Sequence, residues 1–336
     1  MPSLYDPPLM STASQADAPA LSVDVVIVAF NRFDLTESCL RHLGAQTREH
    51  RVIFVDDGST DGTSERLIDA WPEVNVERLP VNAGFAHACN HGARASTGDV
   101  IVLLNNDVDC RPEFLERLVA PLEEDPSLGS VAALSLQPGE QTIDSIGMTA
   151  DPTLAAFQRR HGRPIAEAPG ERPVLAGPAG AAAAYRRAAW EQVGGLEEAL
   201  VAYMEDFDLA LRLRCAGWRT TAATAAAGIH LGSATYGHRS PWQRRQGGFA
   251  RAFMLRRYGV LKRRIGVRAL ATEVLVVAGD VALSRDLMAL RGRIEGWRAA
   301  RGAARMPWPP AQAIERGIGF RASLDLRRGV YSRVPN

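Results

Sequence analysis

The sequence predicts an α/β fold, with a mainly parallel sheet flanked by helices and a helical C-terminal extension. Three observations carry this. Between Val23 and Leu122, short apolar or β-branched runs alternate with stretches of helical spacing, the pattern of strands joined by crossover helices. Acidic, asparagine and glycine residues punctuate the ends of the strand-like runs. Polar groups therefore collect at one sheet edge, where an open α/β sheet takes its ligand. Charge is also divided: residues 1–235 hold 18 Lys or Arg against 32 Asp or Glu, whereas residues 236–336 hold 21 against 6. An acidic body and a basic tail imply different partners for the two regions.

Residues 1–21, rich in Pro, Ser, Ala and Asp, read as a disordered leader. Val23–Phe30 is a β-branched run suited to a strand buried on both faces, and Leu35, Cys39, Leu40 and Leu43 follow at helical spacing. The pattern continues through a strand at Val52–Val55, a helix at Thr63–Ala70, a strand at Val74–Leu79 and a helix at Phe85–Ala95. A strand at Val100–Leu104 and a helix at Pro112–Leu122 complete it. Residues 137–172 lose periodicity and gain Pro, Gly and Arg, which predicts a long irregular insertion. The small-residue stretch Gly177–Tyr185, a helix at Arg187–Val193 and the glycine pair Gly194–Gly195 restore regularity. From Trp242 the tail reads as helical, with Phe249, Phe253, Leu255, Tyr258 and Leu261 interleaved with Arg and Lys.

Cys39, Cys89, Cys110 and Cys215 form no CxxC pair and read as reduced thiols. The first residues lack the basic start and apolar run of a signal peptide. The most apolar stretch, Ile265–Leu283, is broken by Arg268, Glu273 and Asp280. A cytoplasmic protein is expected. No nucleic-acid reader motif accompanies the basic tail, so no nucleic-acid partner is expected.

Five blocks and one histidine hold the polar chemistry: VAFNR at Val28–Arg32, VDDGSTDGT at Val55–Thr63, NAGFAHACN at Asn82–Asn90, LLNNDVD at Leu103–Asp109, the Tyr203–Arg219 segment, and His230. A carboxylate at a strand end, such as Asp56 or Asp57, accepts hydrogen bonds from a base or a ribose, or simply caps the turn. Asp107 and Asp109, directly after a strand, suit a hard cation such as Mg2+ or Mn2+, or a polar turn. Glu205, Asp206 and Asp208 crowd the first turn of a helix. There they are stabilised by its positive end and raise one another's proton affinity, as capping groups or as a general base.

In this order the blocks resemble the inverting family 2 glycosyltransferases of the GT-A fold, particularly a bacterial rhamnosyltransferase-like and galactofuranosyltransferase-like branch, over Val23–Tyr236. The resemblance implies a GT-A domain at 22–238, with a nucleotide-binding half at about 22–110 and an acceptor half at about 111–238, and a basic helical region at 239–336. Ala29, Phe30, Asn31, Arg32, Asp56 and Asp57 match the segments that hold base and ribose, with Asp56 favoured for the base. Asn82, Gly84 and Phe85 match a loop on the diphosphate side. Asn105, Asn106 and Asp107 fall on the DxD motif, whose first aspartate is here Asn105. Asp107 and His230 match metal ligands for Mg2+ or Mn2+, and Asp206 matches the catalytic base. Gly177 and Glu205 fall beside the sugar and acceptor.

The implied function is single-displacement transfer from a dTDP- or UDP-sugar, such as dTDP-rhamnose, to a hydroxyl of a glycan or lipid-linked acceptor in cell-envelope polysaccharide synthesis. The basic, aromatic-interleaved tail has the composition of an interfacial helix that contacts a membrane peripherally, and equally of helices that cover the acidic body or a second subunit in a homodimer. Two other enzyme classes are opposed: the loop AFNRFD lacks the glycines of a sugar-nucleotide-forming enzyme, and no GxGxxG marks a dehydrogenase. A catalytically inactive binding or scaffold protein of the same fold is the alternative raised by Asn105.

Overall fold

A computed structural model describes residues 20–168, 175–232, 240–327 and 329. Residues 1–19 of the expected leader, the end of the expected insertion and the expected domain boundary at 238/239 lie outside the described residues.

The first half follows the predicted alternation: β1 Val23–Ala29, α1 Phe33–Gly44, β2 Arg51–Asp56, α2 Thr63–Ala70, β3 Asn75–Arg78, α3 Phe85–Ala95 and β4 Val100–Asn105. β1 is buried at all seven positions and pairs in parallel with β2 and β4, which explains its continuous β-branched run. Helices α1 and α3 cover its two faces through Leu40 and Leu43 on one side and Ala88 and Cys89 on the other. Registers Ala29↔Asp56 and Val28↔Asn105 bring the carboxyl ends of these three strands level.

Beyond them lie β5 Val108–Cys110, α4 Phe114–Glu124, β6 Leu128–Leu136, β7 Ile143–Ser145, β8 Met148–Ala150, β9 Ala156–Gln158, β10 Ala182–Arg186, α5 Arg187–Val193, α6 Glu205–Cys215 and β11 Arg219–His230. The main sheet runs β3-β2-β1-β4-β10-β6-β11-β5, with β7 paired to β6. Among the described strands of this sheet, β10, β5 and β7 run against the shared direction. β6, which the pattern of the sequence does not announce, is buried along its whole length and carries the far half of the sheet. The expected irregular insertion instead contains β7, the β8–β9 hairpin and a 3₁₀ turn at Ile165–Glu167.

The tail is helical as expected: α7 Pro241–Arg257, α8 Gly266–Ser284, α9 Met288–Ala299 and α10 Phe320–Arg327. α7 and α9 approach so closely that a Cβ at Gly292 or Gly296 would strike the carbonyls of Arg245 and Phe249. Part of the aromatic-interleaved segment is turned inward, while Trp242 and Leu261 stay exposed. Phe253, Leu255 and Tyr258 are buried in a shared core with Met148, Leu154, Phe207 and Leu211 of the sheet domain. Charge explains part of this docking. Arg257 lies 3.2 Å from Asp208 and also pairs with Glu197, and Arg268 lies 3.5 Å from Asp151. The basic tail thus covers part of its own acidic body.

Candidate active site

The level ends of β1 and β4, the start of α6 and the end of β11 enclose a cleft of about 380 Å3. Each side chain reaches it for a local reason. At the end of β2, Asp57 is buried and accepts from the Ala83 (2.7 Å) and Gly84 (3.0 Å) amides. The loop that carries those amides passes close over Gly58, where a Cβ would lie 2.5 Å from Val81. Phe85, next in that loop, lines the cleft with Ala29 and Phe30. Asp56, one residue earlier, points away: it accepts from the Ser59 amide (2.7 Å) and from the Ser64 hydroxyl. Asn31 and Arg32 also stand outside the cleft wall and lace the first loop to the second through Ser59 and Thr60 and through Asp61, while Asn82 is exposed.

Asn105, Asn106 and Asp107 all line the cleft. Asn106 donates to Thr36 at 3.1 Å, whereas the Asn105 side-chain oxygen and Asp107 Oδ1 are buried and accept no hydrogen bond among the described residues. Pairing of β11 with β5, His230 opposite Val108, sets Asp107 Oδ1 3.5 Å from His230 Nε2. Asp109 does not join them: Asp107 lies in the turn before β5, whereas Asp109, within β5 and opposite in face to the buried Val108 and Cys110, is turned toward α1, where Ser38 donates to it at 3.0 Å. Of the two aspartates after β4 that suit a cation, Asp107 lines the cleft and Asp109 does not.

Behind His230 stands a residue the sequence reading did not single out. Asp144, from β7, meets His230 Nδ1 at 2.9 Å and lies 3.4 Å from His161 Nδ1. Burial opposes charge on both, but contacts outweigh it: His161 and then His230 hold Asp144 at about 2, and Asp107 and then Asp144 raise His230 to about 10. A cation at this pair would have to displace the proton from His230 Nε2; with that proton gone the chemistry fits, one unpartnered carboxylate oxygen beside an imidazole nitrogen, with a carboxylate fixing the far side of the ring. No group of three or more His, Cys, Asp or Glu side chains placed to hold a metal occurs among the described residues. Two protein ligands suffice for a hard cation that completes its shell with water and phosphate oxygens.

Opposite lies the start of α6. Val201, Tyr203 and Met204 have positive φ, an unfavourable backbone for side-chain-bearing residues, and this tight turn delivers Glu205 and Asp206 into the cleft. Asp206 accepts from the Gly180 amide at 2.8 Å and the Phe207 amide at 2.7 Å. Burial raises its proton affinity, and burial together with the neighbouring Asp206 charge raises that of Glu205 well above the carboxylate range. Two amides favour the anion of Asp206, while Glu205 Oε2 has no partner among the described residues. Negative charge therefore settles on Asp206 and a proton on Glu205. Asp208 does not join them: two residues on, it is neutralised by Arg212 at 2.7 Å and by Arg257. The crowded trio of the sequence is a pair.

Gly177 lies outside the cleft wall and packs on α6, where a Cβ would overlap Ala210. Gly180 takes the place expected for it. Gln158, Tyr203 and, from the tail, Gln243 also line the cleft; the tail reaches the site because α7 starts beside Tyr203, whose ring lies 6.1 Å from Trp242. Among the described residues that line the cleft there is no Lys or Arg.

Residues 24–194 match the family described as glycosyl transferase family 2. The chain is 30% identical over 235 residues to the N-acetylglucosaminyl-diphospho-decaprenol L-rhamnosyltransferase of Mycobacterium tuberculosis, covering 61% of this chain and 75% of that protein. It is 28% identical over 225 residues to the O-antigen biosynthesis protein RfbC of Myxococcus xanthus, 63% of this chain but 17% of that protein. In fold it is similar to GalNAc-T7 solved with UDP, GalNAc and Mn2+ (TM-score 0.54, 17% identity, 72% of this chain and 48% of that one). It is also similar to S. aureus TarS (TM-score 0.51, 14% identity, 76% and 42%).

Proposed function

The chain belongs to glycosyl transferase family 2 and has the GT-A fold, and from that premise we propose that it is a metal-assisted inverting transferase. It would move a sugar from a dTDP- or UDP-sugar, such as dTDP-rhamnose, to a hydroxyl of a lipid-linked or glycan acceptor in cell-envelope polysaccharide synthesis. One observation carries the reading: a single cleft holds the carboxylate of Asp206 and the Asp107–His230 pair, and no Lys or Arg lines it among the described residues.

Such a wall repels a nucleotide diphosphate unless positive charge is supplied. Mg2+ or Mn2+ held by Asp107 and His230 would neutralise the leaving diphosphate. The protein's own groups do the rest. Asp57 orients the loop of Asn82, Gly84 and Phe85 through the Ala83 and Gly84 amides and, with Ala29, Phe30, Asn105 and Asn106, bounds the donor side. Asp56, with Asn31 and Arg32, stiffens the loops behind it. Asp206, held by Gly180 and Phe207, takes the proton of the acceptor hydroxyl as that oxygen attacks the anomeric carbon and the diphosphate departs. Glu205, protonated beside it, can donate a hydrogen bond to the acceptor. One displacement inverts the anomeric centre.

Calorimetric titration of UDP and dTDP, with Mn2+ or with EDTA, tests this on the parent and on Asp107→Ala. Binding of one nucleotide that needs Mn2+ and is lost in the variant is expected. Metal-independent binding equal in both proteins would remove the metal role, and no binding of either would favour an inactive scaffold.

A further inference from the structure

The apolar surface of the tail lies elsewhere than its aromatic residues suggest. Along α8, Val267, Leu270, Val274, Leu275 and Leu283 are all at least half exposed, with Val267 at 80% and Leu283 at 86%. Val267, Leu270 and Val274 recur at i, i+3 and i+7, and Ala271 and Ala278 continue their stripe. Leu287, Leu290 and Ile294 extend apolar exposure into α9. Between the helices runs an apolar groove of about 300 Å3, floored by Ala252 and Leu255 of α7 and walled by Leu270, Ile294 and Trp297. Soluble surfaces rarely leave so much apolar area together without something to cover it.

The charge around this surface indicates what covers it. Arg298 and Arg301 line the groove, and Lys262 and Arg264 stand exposed at the approach to α8. None of the four pairs with a carboxylate among the described residues. Arg263 stacks over Trp308 at 4.2 Å and Arg256 over Trp297 at 5.1 Å, which places amphipathic aromatic rings among the arginines. Apolar side chains that project outward, an arginine rim and tryptophans at the boundary are the features of a helix lying in a lipid interface. α8 is not a spanning helix, since no described helix is long and apolar enough to cross a membrane. A second copy docked through the same face would set like-charged rims against each other.

We infer that the α8–α9 face, with its groove and arginine rim, is a docking surface for an anionic lipid bilayer. Val267, Leu270 and Val274 enter the acyl boundary, and Lys262, Arg264, Arg298 and Arg301 meet lipid phosphates. α7 supplies Gln243 to the cleft and Leu255 to the groove floor, about 18 Å apart along the helix axis. The same helix would therefore hold the active site near the bilayer. The link to transfer rests on the lipid-linked acceptor proposed above; the lipid binding itself does not.

The test is vesicle flotation of the full chain with no donor or acceptor present, using phosphatidylcholine vesicles and vesicles of equal phosphatidylcholine and phosphatidylglycerol. Binding to the anionic vesicles that weakens with salt is expected, with little binding to neutral ones. Each arginine replaced in Arg264→Gln, Arg298→Gln and Arg301→Gln should lower partitioning about fivefold. The combined Val267→Gln, Leu270→Gln, Val274→Gln variant should lose binding while its circular dichroism and melting temperature match the parent, because these side chains are exposed. Equal flotation of that variant and the parent overturns the inference. So does a parent that ignores both vesicle types, or one that forms dimers which the triple variant abolishes. Transfer to a water-soluble acceptor, measured alongside, separates the two proposals: it is retained in the triple variant if the site reading is right, and absent from the parent if that reading fails, whatever the vesicles show.

Discussion

Asp206 and Asp208 share a helical turn and meet opposite fates. Two residues of α-helix rotate a side chain by about 200°, so one carboxylate faces the cleft and the other the core, beside Arg212 and Arg257. Asp206→Asn keeps the size and removes the base. Its kcat should fall about 10²- to 10⁴-fold with nucleotide affinity unchanged in titration; a variant that turns over like the parent would sink the assignment. Asp144 acts through another residue by fixing the His230 ring at 2.9 Å. Asp144→Asn should weaken Mn2+ binding about 10- to 100-fold, read by the electron paramagnetic resonance of free Mn2+, while dTDP or UDP affinity at saturating Mn2+ stays as it was. No motif pointed to Asp144, because it comes from a short strand inside a segment without periodicity. Its role exists only through the pairing of β7 with β6.

Among the elements, α6 is held from both sides. Gly177 lets the segment before β10 lie against Ala210, and Tyr258, directly after α7, donates to Asp208 at 3.1 Å while Arg257 lies beside it. Removing one partner of a buried ion pair leaves the other uncompensated. Arg257→Ala should therefore destabilise by about 3 kcal/mol in urea unfolding and lower kcat as the start of α6 loosens. An unchanged midpoint would show that the tail does not brace the catalytic helix. Gly177→Val should cost about 1–3 kcal/mol by the same measurement, since its side chain would overlap a packed helix.

Helices α2, α3 and α5 were legible to the residue, because their start and stop residues and their helical spacing are carried locally in the chain. β6 and β11 were not: Leu128–Leu136 and Arg219–His230 are rich in Ala, Ser and Thr, which neither period distinguishes.

Across the whole molecule, the opposite charges of body and tail are partly joined in ion pairs, such as Arg257 with Asp208 and Arg268 with Asp151. The tail also carries a cluster of its own: Glu273 of α8 receives Arg251 at 2.7 Å, Arg293 at 2.8 Å and Arg327 at 3.0 Å. Burial opposes its charge, but the three guanidinium groups outweigh that and hold its carboxyl well below the usual range. A depressed folded-state value means that the stabilisation is fully present above the unfolded value of about 4.3 and is lost as pH falls through the folded value. The helical tail should accordingly lose stability on acidification below about pH 4, followed by tryptophan fluorescence. Glu273→Gln should flatten that acid limb and lower stability at neutral pH.

By itself the sequence determined the α/β class, the parallel strands of the first half, the polar blocks at their carboxyl ends and the charge division of the chain. These follow from local periodicity and from which residue types a strand end or helix start tolerates. Only the tertiary structure decided which members of each block face one another. Pairing and helical phase send Asp57, Asp107 and Asp206 into the cleft and turn Asp56, Asp109 and Asp208 elsewhere. The docking of α7 buries Phe253 and Tyr258 and leaves one face of α8 exposed, because burial depends on what packs opposite a side chain and not on its neighbours in the chain.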